Sequence, residues 1–423
     1  MNNSFVLFIL FITSVANAQL TYIGLSHQKK NFGNPSIRLK SDTLFVPTKN
    51  GLFKKSIHST DTNWIEAGFQ GMDISDFVLI GQDTIICSVD STEGNTVFIS
   101  TDNGKSYYNS TNGAGGKGFD YIHVTKVNFN PKNHSDLLIQ SGECIARSRD
   151  FGKTWTEIYK TWGWQVYQTN GLSFHPLDTS SIYSCGEYSI FHSYVHYSNN
   201  RGRDWKTSNY EQNQAVNYIS YHPKDENIII AGKEGHISRS IDKGKTWTNV
   251  YNTPHYEYIE TIEFDPNNSN TIYASGGAFQ VIDSVRIFRS DDAGKTWGVW
   301  KTFLIPDEVN HPAIMTFKLA DNHLYLMFGN AAMFRLENEI GNIESISKKS
   351  QVNIYPNPVI DVLLFSQHFD KDIDCSIHSI NGKLVAEKSI KNSTLNVKDL
   401  NSGHYLLNFM FENKFHTYKF VKK

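Results

Sequence analysis

The chain has 423 residues, with 40 Lys and Arg against 42 Asp and Glu, and a formal net charge of −2. This balance gives no basic footprint for DNA or RNA, whose binding depends on neutralising phosphates, although a local basic site is not excluded. Four cysteines in this length do not make a disulfide framework. Cys144 and Cys185 fall in neighbouring repeats, where they either form one bridge or pack as buried thiols.

The N-terminus predicts export. Met1–Ser4 are polar, Phe5–Val15 form a short apolar core, and Ala16-Asn17-Ala18 supply the small residues that a signal peptidase requires. We therefore expect residues 1–18 to be a signal peptide and Gln19 to begin the mature chain. No later stretch is typical of a transmembrane helix, so we expect a secreted or surface-attached protein without a transmembrane segment.

An eight-residue pattern, Ser-x-Asp-x-Gly-x-Thr-Trp, recurs through the middle of the chain. Its five copies are Ser100–Tyr107, Ser148–Trp155, Ser198–Trp205, Ser240–Trp247 and Ser290–Trp297. These residues are the Asp-box signature, and this part of the chain resembles the Asp-box (BNR-repeat) β-propeller families. The aspartate can accept hydrogen bonds from its own turn, the glycine suits a left-handed backbone, and the closing ring can fill the wedge between sheets. The octads are therefore predicted to be structural, not catalytic.

A second repeat gives the same register. Aromatic-x-Pro turns begin at Phe129, Phe174, Tyr221 and Phe264, with spacings of 45, 47 and 43 residues. Such a period matches one four-stranded blade of a β-propeller. Weaker copies over Ile37–Trp64 and Ala313–Leu336 bring the expected number of blades to seven, although six or eight remain open.

The predicted fold is therefore all-β: a seven-bladed β-propeller over residues 19–345, followed by a small C-terminal β-sandwich. We expect the Leu20–Gly24 strand to close the ring by pairing into the last blade.

The pattern changes at residue 351, after a linker over 346–350. The tail contains Y-P-N-P from Tyr355, N-G-K from Asn381 and G-H-Y from Gly403. It resembles the type A C-terminal sorting domain of the type IX secretion system of Bacteroidetes. The resemblance implies transport across the outer membrane by that machinery, with the domain normally cleaved. Read from its alternating strands and tight turns alone, residues 351–423 also fit a plain carbohydrate-binding sandwich.

By analogy with known propellers, ligands meet the face opposite the octads, which is formed by the blade-joining loops and the second-to-third strand loops. Aromatic rings beside polar groups suit sugars, and two blade-joining loops are rich in them. The predicted substrate-binding residues are Trp162, Trp164, Tyr167, Tyr188, His255, Tyr256 and Tyr258. Packing between blades is the alternative for each ring.

Glutamates recur after the second strand of successive blades. Glu143 and Glu187 align, and Glu234 lies within one residue of them. Neighbouring blades would bring these groups around the central opening, where a raised pKa makes a general acid. Glu143 and Glu187 are the predicted catalytic residues together with His123, and solvated surface groups are the alternative.

Other chemistries are less well supported. A lyase calls for a His or Tyr base and a cation for a uronate carboxylate, yet no arginine is plainly placed on the predicted face. A sialidase would need an arginine triad that the sequence lacks. His192 and His196 are about 13 Å apart if they lie on one strand, so we predict no catalytic metal.

These features predict a monomeric protein that acts on an extracellular polysaccharide or oligosaccharide, as a glycoside hydrolase or a polysaccharide lyase, without a cofactor. A non-catalytic propeller that binds glycan or protein, or an assembly scaffold, remains the alternative.

Overall fold

A computed structural model gives the structure of the protein. It describes residues 20–25, 36–90, 96–111, 124–141, 144–160, 168–187, 193–208, 215–254, 257–277, 284–304, 314–329, 331–337, 354–366, 369, 371–379, 384–411 and 414–423. The chain forms two compact units, Met1–Asn338 and Glu339–Lys423. Within the described ranges the regular structure is entirely β, and no helix is long and apolar enough to cross a membrane.

Seven four-stranded antiparallel sheets build the first unit, one for each predicted blade. Blades 1 to 3 are formed by β2 (Arg38–Lys40), β3 (Thr43–Thr48), β4 (Gly51–Ser56), β5 (Ile65–Glu66); β6 (Ile74–Ile80), β7 (Thr84–Val89), β8 (Val97–Ser100), β9 (Tyr108–Asn109); and β10 (Lys126–Asn130), β11 (Asn133–Gln140), β12 (Cys144–Ser148), β13 (Thr156–Lys160).

Blades 4 to 6 follow the same plan. Their strands are β14 (Gln168–Phe174), β15 (Ile182–Glu187), β16 (Ser193–Ser198), β17 (Lys206–Thr207); β18 (Val216–Tyr221), β19 (Ile229–Lys233), β20 (His236–Ser240), β21 (Thr248–Asn252); and β22 (Tyr258–Phe264), β23 (Ile272–Gly277), β24 (Ser284–Ser290), β25 (Gly298–Leu304).

Blade 7 joins the two ends of the propeller. Its first three strands are β26 (Ile314–Ala320), β27 (His323–Phe328) and β28 (Met333–Glu337), and its fourth is β1 (Leu20–Gly24), which pairs antiparallel with β28. The first strand of each blade contacts the first strand of the next, and β26 contacts β2. The seven sheets therefore form a closed ring around a central channel, and the predicted closure by the N-terminal strand is confirmed.

The cores lie between adjacent blades, where strand side chains from two sheets meet. Between blades 4 and 5, Tyr183 and Val195 pack against Val216 and Ile229, all nearly inaccessible to solvent. The inner strands are rich in β-branched and aromatic residues, which pack well on a pleated surface buried on both faces.

The octads form one repeated turn between the third and fourth strands. In blade 5, the Asp242 Oδ1 atom accepts from the Ser240 hydroxyl at 2.8 Å and from the Thr246 N–H at 2.9 Å, and Ser240 Oγ accepts from the Gly244 N–H at 2.8 Å. The octads at 100, 148 and 290 repeat these bonds. In blade 4, Asn200 takes the aspartate position and accepts from the Asp204 N–H at 2.9 Å.

The closing aromatic ring connects neighbouring blades. The Trp155 ring is buried, and its Nε1–H donates to the Ser110 carbonyl of the preceding blade at 2.8 Å. Blade 1 has no octad, yet Trp64 donates in the same way to the Ile23 carbonyl on β1 at 2.8 Å. A different set of bonds holds the turn of blade 1: the buried Lys55 Nζ donates to the Asp61 carboxylate at 2.8 Å and to the Asn63 carbonyl at 2.9 Å.

Side chains also connect the inner strands around the channel. Val127 N–H donates to Asp76 at 3.3 Å, the Asn170 amide donates to the Val216 carbonyl at 3.1 Å, and Leu319 N–H donates to Glu263 at 2.8 Å. Each bond runs from one blade to the next, so the inner ring is joined by polar contacts as well as by packing.

The second unit contains two antiparallel sheets around one apolar core. Phe365, Ile377, Leu407, Phe409 and Phe420 lie in that core. The strands are β29 (Ile354–Tyr355), β30 (Val362–Phe365), β31 (Ile373–Ser379), β32 (Leu384–Ile390), β33 (Thr394–Asn396), β34 (Gly403–Phe411) and β35 (Lys414–Lys422).

All four cysteines are described and buried, and none of them is in a disulfide. The bridge considered between Cys144 and Cys185 does not form, and burial raises the pKa of the Cys185 thiol to about 12. Of the two sequence interpretations, packing as a small apolar side chain is the correct one.

Candidate functional site

The two faces of the propeller carry different connections. The octads join third to fourth strands and the aromatic-x-Pro turns join first to second strands, so both lie on what we call the octad face. The blade-joining and second-to-third connections lie on the opposite face, called here the loop face. This division is the one that the sequence predicted.

At the loop face, a β-bulge interrupts the first strand of five blades. The strand register shifts there by one residue relative to the second strand. Bulges redirect a side chain out of the ladder and are frequent beside active sites. The bulged residues are Ser75, Asn170, Asn217, Glu260 and Met315.

Three glutamates from successive blades lie toward the loop-face ends of their strands, and Glu234 interacts electrostatically with both of the others. Glu187 is the last residue of β15, Glu234 follows β19 and forms an isolated bridge with Tyr258, and Glu260 is the bulged residue of β22. All three side chains are half-buried. We call this group the carboxylate cluster.

Burial and the repulsion between neighbouring carboxylates raise the pKa values of two members of this cluster, Glu234 and Glu260. Burial raises the pKa of Glu234, and the neighbouring Glu187 charge raises it further. Burial, followed by the Glu234 charge, raises the pKa of Glu260 to about 7. The Glu260 side chain is only half-buried, yet desolvation by the surrounding protein is the largest cause of this rise. A carboxyl group that titrates near neutral pH can donate a proton under physiological conditions.

Lys126 opposes the cluster from blade 3. It is the first residue of β10, is 7% exposed, and interacts electrostatically with Asp76, Arg38, Cys185 and Glu260. Blades 3 and 6 are not neighbours in the ring, so the interaction between Lys126 and Glu260 runs across the channel. The lysine partly offsets the repulsion that Glu234 exerts on Glu260.

A second charged group lies along the same inner strands. Arg38 Nη2 is 3.7 Å from Asp76 Oδ1, and Tyr218 interacts electrostatically with both residues from blade 5. Burial raises the pKa of the Tyr218 hydroxyl to about 12. The Lys318 ammonium forms an ion pair with Glu263. Charges of both signs therefore occur along the described inner strands, with the carboxylate cluster toward their loop-face end.

Of the residues proposed from sequence, the structure describes Glu187 and Tyr258. Both interact with Glu234: Glu187 does so electrostatically, and Tyr258 forms an isolated β-bridge with it. The remaining predicted residues lie outside the described ranges: Glu143, His123, Trp162, Trp164, Tyr167, Tyr188, His255 and Tyr256.

Sequence reasoning missed Glu260 and Lys126. Glu260 lies two residues beyond the predicted Tyr258 in a strand that otherwise alternates regularly, and a bulge cannot be recognised from one strand alone. Comparing the residues three and four positions before each aromatic-x-Pro turn would have drawn attention to both, since Lys126 and Glu260 occupy these positions.

One negative prediction is wrong. Arg286 lies near the start of β24, at the loop-face end of blade 6, so that face does carry an arginine. Its Nη1 atom is 2.5 Å from the carboxylate of the fully buried Glu257. The guanidinium is therefore engaged within blade 6, where it fixes the segment that enters β22.

His196 belongs to an aromatic stack. Its ring lies 4.6 Å from that of Tyr194 and 5.2 Å from that of Tyr159, and its Nδ1 is 3.1 Å from the Thr207 hydroxyl. Burial lowers its pKa to about 4. His192, its suggested metal partner, lies outside the described ranges. In the part of the chain that the structure describes, no three His, Cys, Asp or Glu residues are grouped to hold a metal ion.

The tail has a recognisable family. The secretion system C-terminal sorting domain family matches residues 353–423. A comparison with curated proteins found no match.

Solved structures match the propeller at low sequence identity. The GH74 xyloglucanase of Xanthomonas campestris aligns with a TM-score of 0.57 and 13% identity, over 76% of this chain and 53% of that chain. PorZ is an essential surface component of the type IX secretion system of Porphyromonas gingivalis. It aligns with a TM-score of 0.52 and 14% identity, over 92% of this chain and 59% of that chain. YCF48 from Cyanidioschyzon merolae aligns with a TM-score of 0.52 and 12% identity, over 75% of this chain and 98% of that chain.

These likenesses show the fold alone, and the chain spans little more than half the length of the first two proteins. Together with the tail they establish the organisation of the molecule. The chain is a β-propeller that carries a C-terminal sorting domain for type IX secretion, and it is directed to the cell surface or the extracellular space.

Proposed function

We propose that the protein is a secreted glycoside hydrolase that cleaves an extracellular polysaccharide at the loop-face end of the channel. The observation that carries this proposal is the convergence of Glu187, Glu234 and Glu260 from three successive blades. Hydrolysis of a glycosidic bond uses two carboxyl groups with different protonation states, and neighbouring carboxyl groups in a buried setting acquire them.

Within this cluster we assign Glu260 as the proton donor. Its pKa of about 7 leaves it protonated over a useful part of the physiological range. Glu187, which interacts with Glu234 from the blade on its other side, would act as the base or nucleophile. Glu234 lies between them electrostatically, since it interacts with both.

The same geometry favours a hydrolase over a lyase. A lyase that acts on a uronate needs a cation free to neutralise the substrate carboxylate. Arg286 is engaged by Glu257, and an acidic cluster repels a polyanionic chain. A neutral polysaccharide therefore fits this site better than a uronate polymer. The fold likeness to a xyloglucanase agrees with this choice without specifying the glycan.

The test is a panel of neutral polysaccharides incubated with the purified propeller, with new reducing ends as the readout. Glu260→Gln and Glu187→Gln should each lower the rate at least 100-fold, because general acid–base groups contribute about 10²–10⁴-fold. Glu157→Gln, on the exposed fourth strand of blade 3, is the matched control and should leave the rate unchanged.

Full activity in both channel variants would refute the assignment. Retarded migration in glycan-loaded gels without product would instead indicate a non-catalytic binding propeller. A rise in absorbance near 235 nm would identify a lyase.

A further inference from the structure

The middle residue of each aromatic-x-Pro turn on the octad face is a hydrogen-bond acceptor for its own turn. In blade 3, Asn130 Oδ1 accepts from the Lys132 N–H at 2.9 Å, and in blade 6, Asp265 Oδ1 accepts from the Asn267 N–H at 2.8 Å. Both acceptors are buried. These are Asx turns, in which a side-chain oxygen takes the place of a backbone carbonyl.

Blades 4 and 5 carry a histidine at this position. The His175 Nδ1 atom accepts from the N–H groups of Leu177 and Asp178, each at 3.2 Å. The His222 Nδ1 atom accepts from the N–H groups two and three residues further along, at 3.1 and 2.9 Å. The two histidines are 0% and 7% exposed. Because an imidazole nitrogen accepts a hydrogen bond only when it carries no proton, both rings must be neutral, with their proton on Nε2.

Each histidine ring also contacts the next blade. The His175 and Tyr221 rings lie 4.8 Å apart at 71°, and the His222 and Phe264 rings lie 5.4 Å apart at 81°. Tyr221 and Phe264 begin the aromatic-x-Pro turns of blades 5 and 6. The Tyr183 ring lies 6.2 Å from that of His175, and burial raises the pKa of both tyrosine hydroxyl groups, so neither is charged.

The turn that His175 holds is itself a contact between blades. Lys132 of blade 3 donates to the Leu177 carbonyl at 2.7 Å, and Lys243 in the octad of blade 5 is 3.4 Å from the Asp178 carboxylate. A change at this turn therefore reaches both neighbouring blades.

We propose that His175 and His222 form a pH-sensitive device: each closes its turn as a neutral imidazole and releases it when the ring takes up a proton. Protonation places an N–H on Nδ1, opposite the backbone N–H groups, so their hydrogen bonds to the ring are lost. The equivalent turn of blade 3 stays closed in acid, because the Asn130 amide takes up no proton there. Acidification should therefore loosen the octad face at blades 4 and 5.

The surroundings of His175 favour its neutral form. Burial is the largest effect and lowers the pKa of His175. The negative charges of Asp178 and Glu226 act against burial, and the positive charge of Lys243 acts with it.

The balance around His222 is similar. Burial is again the largest effect and lowers the pKa of His222, the Asp225 charge opposes it, and the Arg239 and Lys224 charges add to it. The unfolded chain takes up protons at the ordinary histidine value of 6.5, whereas the folded chain resists them. The stability that these turns contribute is therefore complete above about pH 6.5 and is lost as the pH falls below it.

The first experiment measures thermal unfolding of the full chain from pH 7.5 to pH 5 for wild type, His175→Asn, His222→Asn and the double variant. Asparagine supplies the acceptor that blade 3 already uses, but it does not titrate. The loss of the rings lowers the unfolding temperature at every pH. Between pH 7.5 and pH 5, however, the wild type should lose several degrees more than the double variant. Glu260 titrates in all four proteins and cancels in this comparison.

His134→Asn is the matched control. His134 is exposed on the same face of blade 3, and its removal should leave the wild-type pH dependence unchanged. Equal pH dependence in the wild type and the double variant would overturn the proposal.

Amide hydrogen exchange of the folded wild type locates the change. Between pH 7.5 and pH 5, the protection of the Leu177 and Asp178 amides should fall about tenfold more than that of the Lys132 amide, as expected for the loss of one or two hydrogen bonds. An equal change at the three amides would contradict an opening confined to the histidine turns.

Nitrogen-15 NMR of the imidazole rings tests the proposal without any variant. At pH 7.5 both rings should carry their proton on Nε2 and none on Nδ1. A proton on Nδ1 of His175 or His222 at that pH would remove the acceptor and with it the device. None of these measurements depends on cleavage of a glycan.

Discussion

Glu260 combines a bulged backbone position with a poorly solvated side chain. The bulge takes it out of the regular ladder between β22 and β23, and it interacts with Glu234 on the neighbouring blade and with Lys126 across the ring. A carboxyl group in this setting retains its proton to higher pH than an ordinary glutamate does. The acid–base chemistry of Glu260 therefore follows from its position in the ring.

The titration of Glu260 should make stability depend on pH. Its pKa in the folded protein, about 7, exceeds its ordinary value of 4.5, so the protonated form favours folding. This contribution is complete below about pH 4.5 and is lost as the pH rises through about 7. Glu260→Gln should therefore become more stable than wild type by up to about 3 kcal/mol above pH 7. Thermal unfolding at pH 5 and pH 8 checks this, and an equal difference at the two values would contradict it.

The octad carboxylate is a residue whose role is structural. Asp242→Ala removes the acceptor for the Ser240 hydroxyl and for the backbone and side chain of Thr246, and it should destabilise blade 5 by about 2 kcal/mol. Asp242→Asn should be milder, because Asn200 already occupies the same position in blade 4. Thermal unfolding of the two variants compares them. Equal losses would show that the carboxylate charge, more than the turn geometry, supports the octad.

At the scale of elements, the sequence predicted most of the fold. The octads and aromatic-x-Pro turns indicated the strand order, because each has a turn chemistry tied to one type of connection. The weak blades at the two ends are predicted from their strands and the repeat length, and the structure shows that bonds from Lys55 and Trp64 hold the octad-free turn of blade 1. Glu187 was identified because it follows a strand end that repeats. Glu260 was missed, because its position depends on a register shift between two strands.

The closing strand β1 makes the N-terminal segment essential to the ring. Gly24 has φ of +113°, and an added Cβ would lie 2.2 Å from the Thr62 carbonyl oxygen and 2.9 Å from the Trp64 ring. Gly24→Ala should therefore push β1 away from blade 1 and lower the unfolding temperature by several degrees. Gly71→Ala is the matched control, since Gly71 also has positive φ, +77°, but open space around its Cβ position. A loss of stability no larger than that of the control would mean that the closure tolerates this movement.

At the scale of the whole molecule, the chain combines a ring that needs both of its ends with a tail that forms its own core. The propeller is closed by β1 and β28, within the unit that ends at Asn338, whereas the apolar core of the tail is built from residues after Glu339. Export and any activity at the channel are thus assigned to separate parts of the chain. The tail can be removed without taking a strand from any blade.

Deletion of residues 351–423 should therefore separate secretion from folding. In a bacterium with a type IX system, the truncated chain should accumulate in the periplasm, because the family that matches 353–423 is a sorting domain. The purified propeller should keep its unfolding transition, since its seven sheets and the cores between them are unchanged. Immunoblots of periplasmic and extracellular fractions, with thermal unfolding of the same truncated protein, make the comparison. A misfolded propeller would also be retained inside the cell. Retention therefore supports the sorting role only when the truncated protein keeps its thermal unfolding transition. Truncated protein in the extracellular fraction would contradict the sorting role directly.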